Sequence, residues 1–189
     1  MGGLVRRLLD ELYRGTLWAS AFCLAAIAIL VGAQLGGRLL DGALALVHLP
    51  RTDFVILSLD EICGNLLAAA SFLALAGTLK SGAHIRVTLV LSALSEAQRH
   101  IMEIWAFGFA AAASAYMTGS LLNFAWVSFR FHEVSNGVVK VPLVIPQAAI
   151  AIGALVLTVA LLDEFFIVLR GGRPTFRAAE DAISLGKEG

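Results

Sequence analysis

The sequence predicts an all-α integral membrane protein with four transmembrane helices and a short interfacial amphipathic helix between spans two and three. Three observations carry that prediction. Apolar stretches near residues 15–37, 59–79, 101–129 and 143–169 each reach the roughly 20 residues that a helix rising about 1.5 Å per residue needs to cross some 30 Å of hydrocarbon. Of the 189 residues, 59% are hydrophobic and 15% charged, with a mean hydropathy of +0.84, whereas a soluble domain carries about 25% charged residues. The charges that are present fall mainly between the four stretches.

In the first stretch, Arg6 and Arg7 precede an apolar run, as in an export signal. The run is too long for one and lacks a small-x-small cleavage site after Gly36 and Gly37, so it reads as an uncleaved anchor. Gly32 and Gly36 make a small-xxx-small face, for which packing within the chain is the default reading and a subunit interface the minority one. Leu39 to Leu49 is a weak candidate for an outer interfacial segment. The second stretch opens at Ser58-Leu59-Asp60-Glu61, which matches a capping box: a hydroxyl and a carboxylate three residues on satisfy each other's exposed amides. Cys23 and Cys63 lie inside the first two spans without metal-ligand or disulfide spacing and read as small packing residues.

Between spans two and three, His84 to Leu94 mixes apolar and polar residues over about three helical turns. It is too short and too polar to cross, and an unpaired strand in lipid would leave its backbone unsatisfied, so an interfacial helix bearing His84 and Arg86 is the expectation. Ser95-Glu96-Ala97-Gln98 is a second capping box and starts span three. Pro142 and Pro146 suit the opening turn of span four, where a missing amide hydrogen costs little. Gly171-Gly172 and Pro174 stop that span near Arg170. Residues 1–170 thus form one membrane domain and 171–189 a tail too short to bury a core.

Orientation follows from the basic residues, because loops rich in Lys and Arg stay cytoplasmic. Arg6, Arg7, Arg14, Lys80, Arg86, Arg99, Arg170, Arg173, Arg177 and Lys187 lie on one side; Arg38, Arg51, Arg130 and Lys140 lie on the other. Ten against four predicts both termini in the cytoplasm. Trp18 and Trp105 then mark the inner interface, and Trp126 with Phe129 and Phe131 the outer one.

Polar groups within spans are the places to look for chemistry, since a charge at mid-bilayer costs at least about 2.5–3.5 kcal/mol. Glu61 and Asn65, four apart, share one face of the second helix. Three readings of Glu61 compete: a cap paired with Arg38 or Arg130, a contact with another subunit, or an ion-coupling group. Gln34 and Asn123 suit hydrogen bonds between helices. Arg99 and Glu103 are an i, i+4 pair, and Asp163 with Glu164 is placed to meet Lys80 or Arg86. His48, His84, His100 and His132 all fall at or outside span ends, which disfavours axial haem ligation. The sequence lacks GxSxG, HExxH, P-loop and GxGxxG signatures. It therefore predicts no catalytic residue, no substrate ligand, no metal and no cofactor. Zero formal charge suggests no nucleic-acid partner.

Glu61-Ile-Cys-Gly-Asn65, Phe72, Gly77, Gly82-Ala-His84-Ile85-Arg86-Val87, Pro142-Leu-Val-Ile145-Pro146 and Gly153, in that order over roughly residues 10–170, resemble the small membrane subunit of TRAP transporters, the tripartite ATP-independent periplasmic carriers (the DctQ-like small permease). Many relatives carry Asp where this chain has Thr88. The resemblance implies a non-catalytic scaffold in a bacterial inner membrane that braces a large ion-coupled transport subunit. Its further partners are a periplasmic solute-binding protein and the lipid bilayer, and the cargo is a carboxylate-bearing solute. Two alternatives stay open: the small subunit of a tripartite tricarboxylate system, and the membrane anchor of a redox enzyme.

Overall fold

A computed structural model describes residues 3–81 and 95–172. Within them run four helices: α1 (Gly3–Leu46), α2 (Leu59–Lys80), α3 (Glu96–Phe131) and α4 (Val144–Leu169). All four are long and apolar enough to cross a membrane. The expected interfacial helix with His84 and Arg86 lies outside the described residues, as does nearly all of the tail.

Helix α1 overruns its expected span at both ends. Its 44 residues make a rod of about 66 Å, and the proposed outer segment from Leu39 is simply its continuation to Leu46. No proline interrupts that stretch, and Gly36-Gly37 and Gly42 cost a helix only about 1 kcal/mol each, so the ladder carries on. Residues 47–58 then fold back down the side of α1. Thr52 donates from its amide and its hydroxyl to Asp41 Oδ1, at 2.7 and 2.6 Å. The Phe54 side chain lies against Gly37, where a Cβ would stand 2.7 Å from its Cδ1. Lower still, the Ile56 amide donates to Gln34 Oε1 at 2.7 Å. Gln34 is buried, and its partner is this returning stretch of backbone rather than another helix, as the sequence suggested.

Capping sets the remaining boundaries. Ser95 forms the anticipated box with Gln98. Ser58 does not: it sits at φ 57°, ψ 30° and makes no side-chain cap bond. An N-cap needs extended backbone, and here the Ser58 hydroxyl accepts instead from the Val139 amide at 3.1 Å. The α3–α4 connection is a small hairpin closed by a Val134–Pro142 bridge, with Ser135 and Leu143 donating to Val141 and Glu133 carbonyls. Pro146 stands in the first turn of α4, and Gly171 at φ 75° ends it, with Gly171 and Gly172 amides returning to Val168 and Ile167.

The helices pack as an open row in the order α1, α2, α4, α3, with α1 also touching α4 at one end through Tyr13. α2 and α4 form the middle; α1 and α3 are the edges. Small residues bring the axes close. A Cβ at Gly153 of α4 would lie 2.5 Å from the Phe72 carbonyl carbon of α2, and one at Gly77 would overlap Leu17 of α1. Two buried clusters follow the row: Tyr13, Ala76, Val156 and Ala160 join α1, α2 and α4, and Phe107, Ala111, Leu161 and Val168 join α3 to α4. Ser20 of α1 donates to the Ala70 carbonyl of α2 at 2.8 Å.

Candidate functional site

The end of the row where α1 begins and α2 and α4 finish holds a buried charge cluster. Lys80 is the last residue of α2, where the helix dipole favours a cation. Its Nζ lies 2.5 Å from Asp163 Oδ2 and 2.8 Å from Glu164 Oε1 of α4, and 5.4 Å from the centroid of the Tyr13 ring of α1. The Glu164 side chain is 1% exposed, Asp163 9% and Lys80 15%. Adjacent residues on a helix point about 100° apart, but an ammonium carries three donors and reaches both carboxylates. The sequence expectation that Asp163 and Glu164 would meet Lys80 is thus realised, while Arg86 lies outside the described residues. Chemically the cluster is a closed ionic lock between α2 and α4, with the aromatic ring of α1 as its lid. Nearby, Arg99 Nε and the buried Glu103 Oε1 are 3.7 Å apart, the anticipated intrahelical pair.

The opposite end brings Glu61 and Asn65 to one side of α2, both half-buried. Glu61 is tucked beneath the α3–α4 hairpin: a Cβ on Gly137 would overlap its Oε2 and stand 2.9 Å from Ser58 Oγ. Only glycine lets the hairpin lie so close. No ion pair joins Glu61 to Arg38 or Arg130, both of which are exposed. One turn deeper, Asn65 has no hydrogen-bond partner among the described residues and faces an open cavity of about 260 Å3 lined by Cys23, Ile62, Leu66, Ala69, Val141, Ile145, Pro146 and Ala149. An unpaired amide in apolar surroundings costs free energy. The residues implicated on sequence therefore separate: Glu61 is covered by this chain's own hairpin, Asn65 is left to something else, and the two arginines point away.

Sequence reasoning missed a buried hydroxyl cluster. Thr158 donates to the Ala154 carbonyl at 2.9 Å, and its oxygen is 2.8 Å from Ser114 Oγ and 3.0 Å from Thr118 Oγ1. One hydrogen and two lone pairs are all used. The i, i+4 spacing of Ser114 and Thr118 inside an apolar span was the available signal. Among the described residues no three His, Cys, Asp or Glu side chains gather as a metal would require. Gly32 and Gly36 have nothing within 4 Å, so their face is not used for packing within the chain, contrary to the default reading.

Residues 49–171, more than half of the chain, match the family described as tripartite ATP-independent periplasmic transporters, DctQ component. The chain belongs to the DctQ family. No curated protein and no solved structure gives a significant match. The resemblance drawn from the order of Glu61, Gly77, His84, Pro142 and Gly153 is thereby upheld. DctQ proteins are the small component of TRAP transporters, in which they work beside a large membrane subunit and a periplasmic binding protein; they are transporter components rather than enzymes. The match takes in α2, α3, α4 and their connections, and leaves α1 outside it. In the fold, Phe72 and Gly153, two landmarks of that resemblance, meet at the α2–α4 crossing.

Proposed function

We propose that this DctQ subunit is a non-catalytic brace for the large ion-coupled subunit of a TRAP importer of carboxylate-bearing solutes. In this reading it sits in a bacterial inner membrane with both termini cytoplasmic. The observation that carries the proposal is the single-layer row. A layer of helices one deep encloses no central passage, and its ionic and hydroxyl groups bond one another across helix contacts. What it offers outward is breadth: two apolar faces, and at the α1 edge a span only 11% buried. Gly32 and Gly36 on that edge leave room for a neighbouring backbone.

Asn65 is the residue we assign to the contact with the large subunit. Its unpaired amide borders an open apolar cavity at the middle of the row, and a partner side chain there would relieve it. Glu61 supports the same region indirectly, by holding the hairpin in place. Arg38 and Arg130 serve as outer, solvent-facing charges. The tricarboxylate-transporter and redox-anchor alternatives gain no support from the DctQ match.

Affinity purification in mild detergent tests the brace. The large multi-span subunit should accompany this chain in one-to-one amounts, and Asn65→Leu should lower that recovery while leaving the isolated subunit folded. Solute uptake by vesicles containing this chain alone would overturn the reading. Cysteine labelling that put the termini on opposite faces would overturn the orientation.

A further inference from the structure

At the inner end, α1 and α4 approach one another around a second cavity of about 120 Å3, lined by Arg6, Asp163, Phe166, Ile167 and Arg170. Its charges come from two helices. Arg6 is in the second turn of α1, and Arg170 caps α4, where a cation is favoured by the last carbonyls. Both side chains are exposed, and among the described residues neither forms an ion pair. Asp163, the one carboxylate in the wall, is already bound to the Lys80 ammonium. Within the cavity wall two arginines face one carboxylate that is already neutralised by Lys80; Asp10, one turn along α1 from Arg6, is exposed and lies outside the wall. Below the arginines, Phe166 is 44% exposed and offers an apolar wall on the lipid side.

From this geometry we propose that the cavity binds the headgroup phosphate of an acidic phospholipid. A water needs roughly 10–15 Å3 of such space, so the cavity accommodates a group several times larger. Two guanidiniums on converging helices suit a phosphate, because each offers a planar fork of N–H donors. In the orientation proposed above, on which this inference rests, the position is at the cytoplasmic ends of the spans, where basic pockets between helices meet anionic headgroups, and the Phe166 and Ile167 flank lets an acyl chain run along α4. The bound lipid would tie α1, the least buried of the spans, to α4. Free phosphate shares the headgroup chemistry but lacks the chain.

The test uses the full-length subunit in a neutral detergent, titrated with phosphatidylglycerol, phosphatidylcholine or inorganic phosphate, with bound lipid counted by native mass spectrometry. Phosphatidylglycerol should bind in preference to phosphatidylcholine, and inorganic phosphate at equal concentration should not displace it. Arg6→Gln/Arg170→Gln should weaken phosphatidylglycerol binding about thirty-fold, at about 1 kcal/mol per arginine near an anionic surface. The outer double variant Arg38→Gln/Arg130→Gln should leave it unchanged. Equal binding of both lipids, displacement by inorganic phosphate, undiminished binding in the inner variant, or an equal loss in the outer variant would each overturn the proposal. Melting temperature is read alongside. If the inner double variant does not fold, Arg170→Gln alone, which should bind five-fold more weakly, decides the matter.

Discussion

Replacing Lys80 by Met removes the ammonium that Asp163 and Glu164 share, while keeping most of the stem that packs beside Tyr13. The two contacts, at 2.5 and 2.8 Å, involve side chains 1–15% exposed, so solvent screens them little. Breaking a buried pair by removing one partner costs about 3–5 kcal/mol, because a desolvated charge is left behind. For a chain of this size each kcal/mol shifts the midpoint by about 2–4 °C, so the melting temperature should fall by roughly 6–20 °C. The assay is thermal unfolding in detergent followed by tryptophan fluorescence. A triple variant, Lys80→Met/Asp163→Asn/Glu164→Gln, should recover most of the loss, since a neutral set of similar volume is often as stable as the ions it replaces. A Lys80→Met midpoint within about 2 °C of the parent, or a triple variant no better than the single one, would refute the ionic-lock argument.

Four further outcomes are expected. Gly153→Ala drives a methyl into the Phe72 backbone and should cost about 1–3 kcal/mol in the same unfolding assay, whereas Gly36→Ala, with open space around it, should be neutral or slightly stabilising. Thr158→Val deletes three hydroxyl contacts and should cost about 2 kcal/mol, at roughly 0.6 kcal/mol each. Gln34→Leu orphans the Ile56 amide at about 1–3 kcal/mol, and hydrogen exchange at Ile56 should rise accordingly. Gly137→Val should push the hairpin off Glu61 and Ser58, seen as faster proteolysis between residues 132 and 143.

Span number and approximate limits were legible because crossing a bilayer imposes length and apolarity on contiguous residues. The stops were legible where a local signal acts alone, as at Ser95-Gln98, Pro146 and Gly171. Ser58 failed because the same hydroxyl was claimed by Val139, 81 residues away in sequence, and no local pattern reports such a competitor. The overlong α1 failed for the opposite reason: the sequence shows where lipid must end, not where a helix must. The Lys80, Asp163 and Glu164 encounter was legible from charge and depth alone. Glu61 was legible as a polar group on a span but its neighbour was not, since the glycine that approaches it carries no charge to notice. The order of helices in the row, which decides that Asn65 borders a cavity, rests on Gly77 and Gly153 contacts that become meaningful only in three dimensions.

The row also alternates in reach. Its inner members, α2 and α4, have 22 and 26 residues, and its margins, α1 and α3, have 44 and 36. Mismatch with a bilayer depends on the apolar stretch rather than on helix length, and the extra turns of α1 carry Arg6, Arg7, Asp10, Glu11 and Arg14 at one end and Arg38 and Asp41 at the other. The subunit therefore has two long margins that reach past the hydrocarbon beside a short middle. A protein laid along one of those borders would gain purchase above the lipid as well as within it.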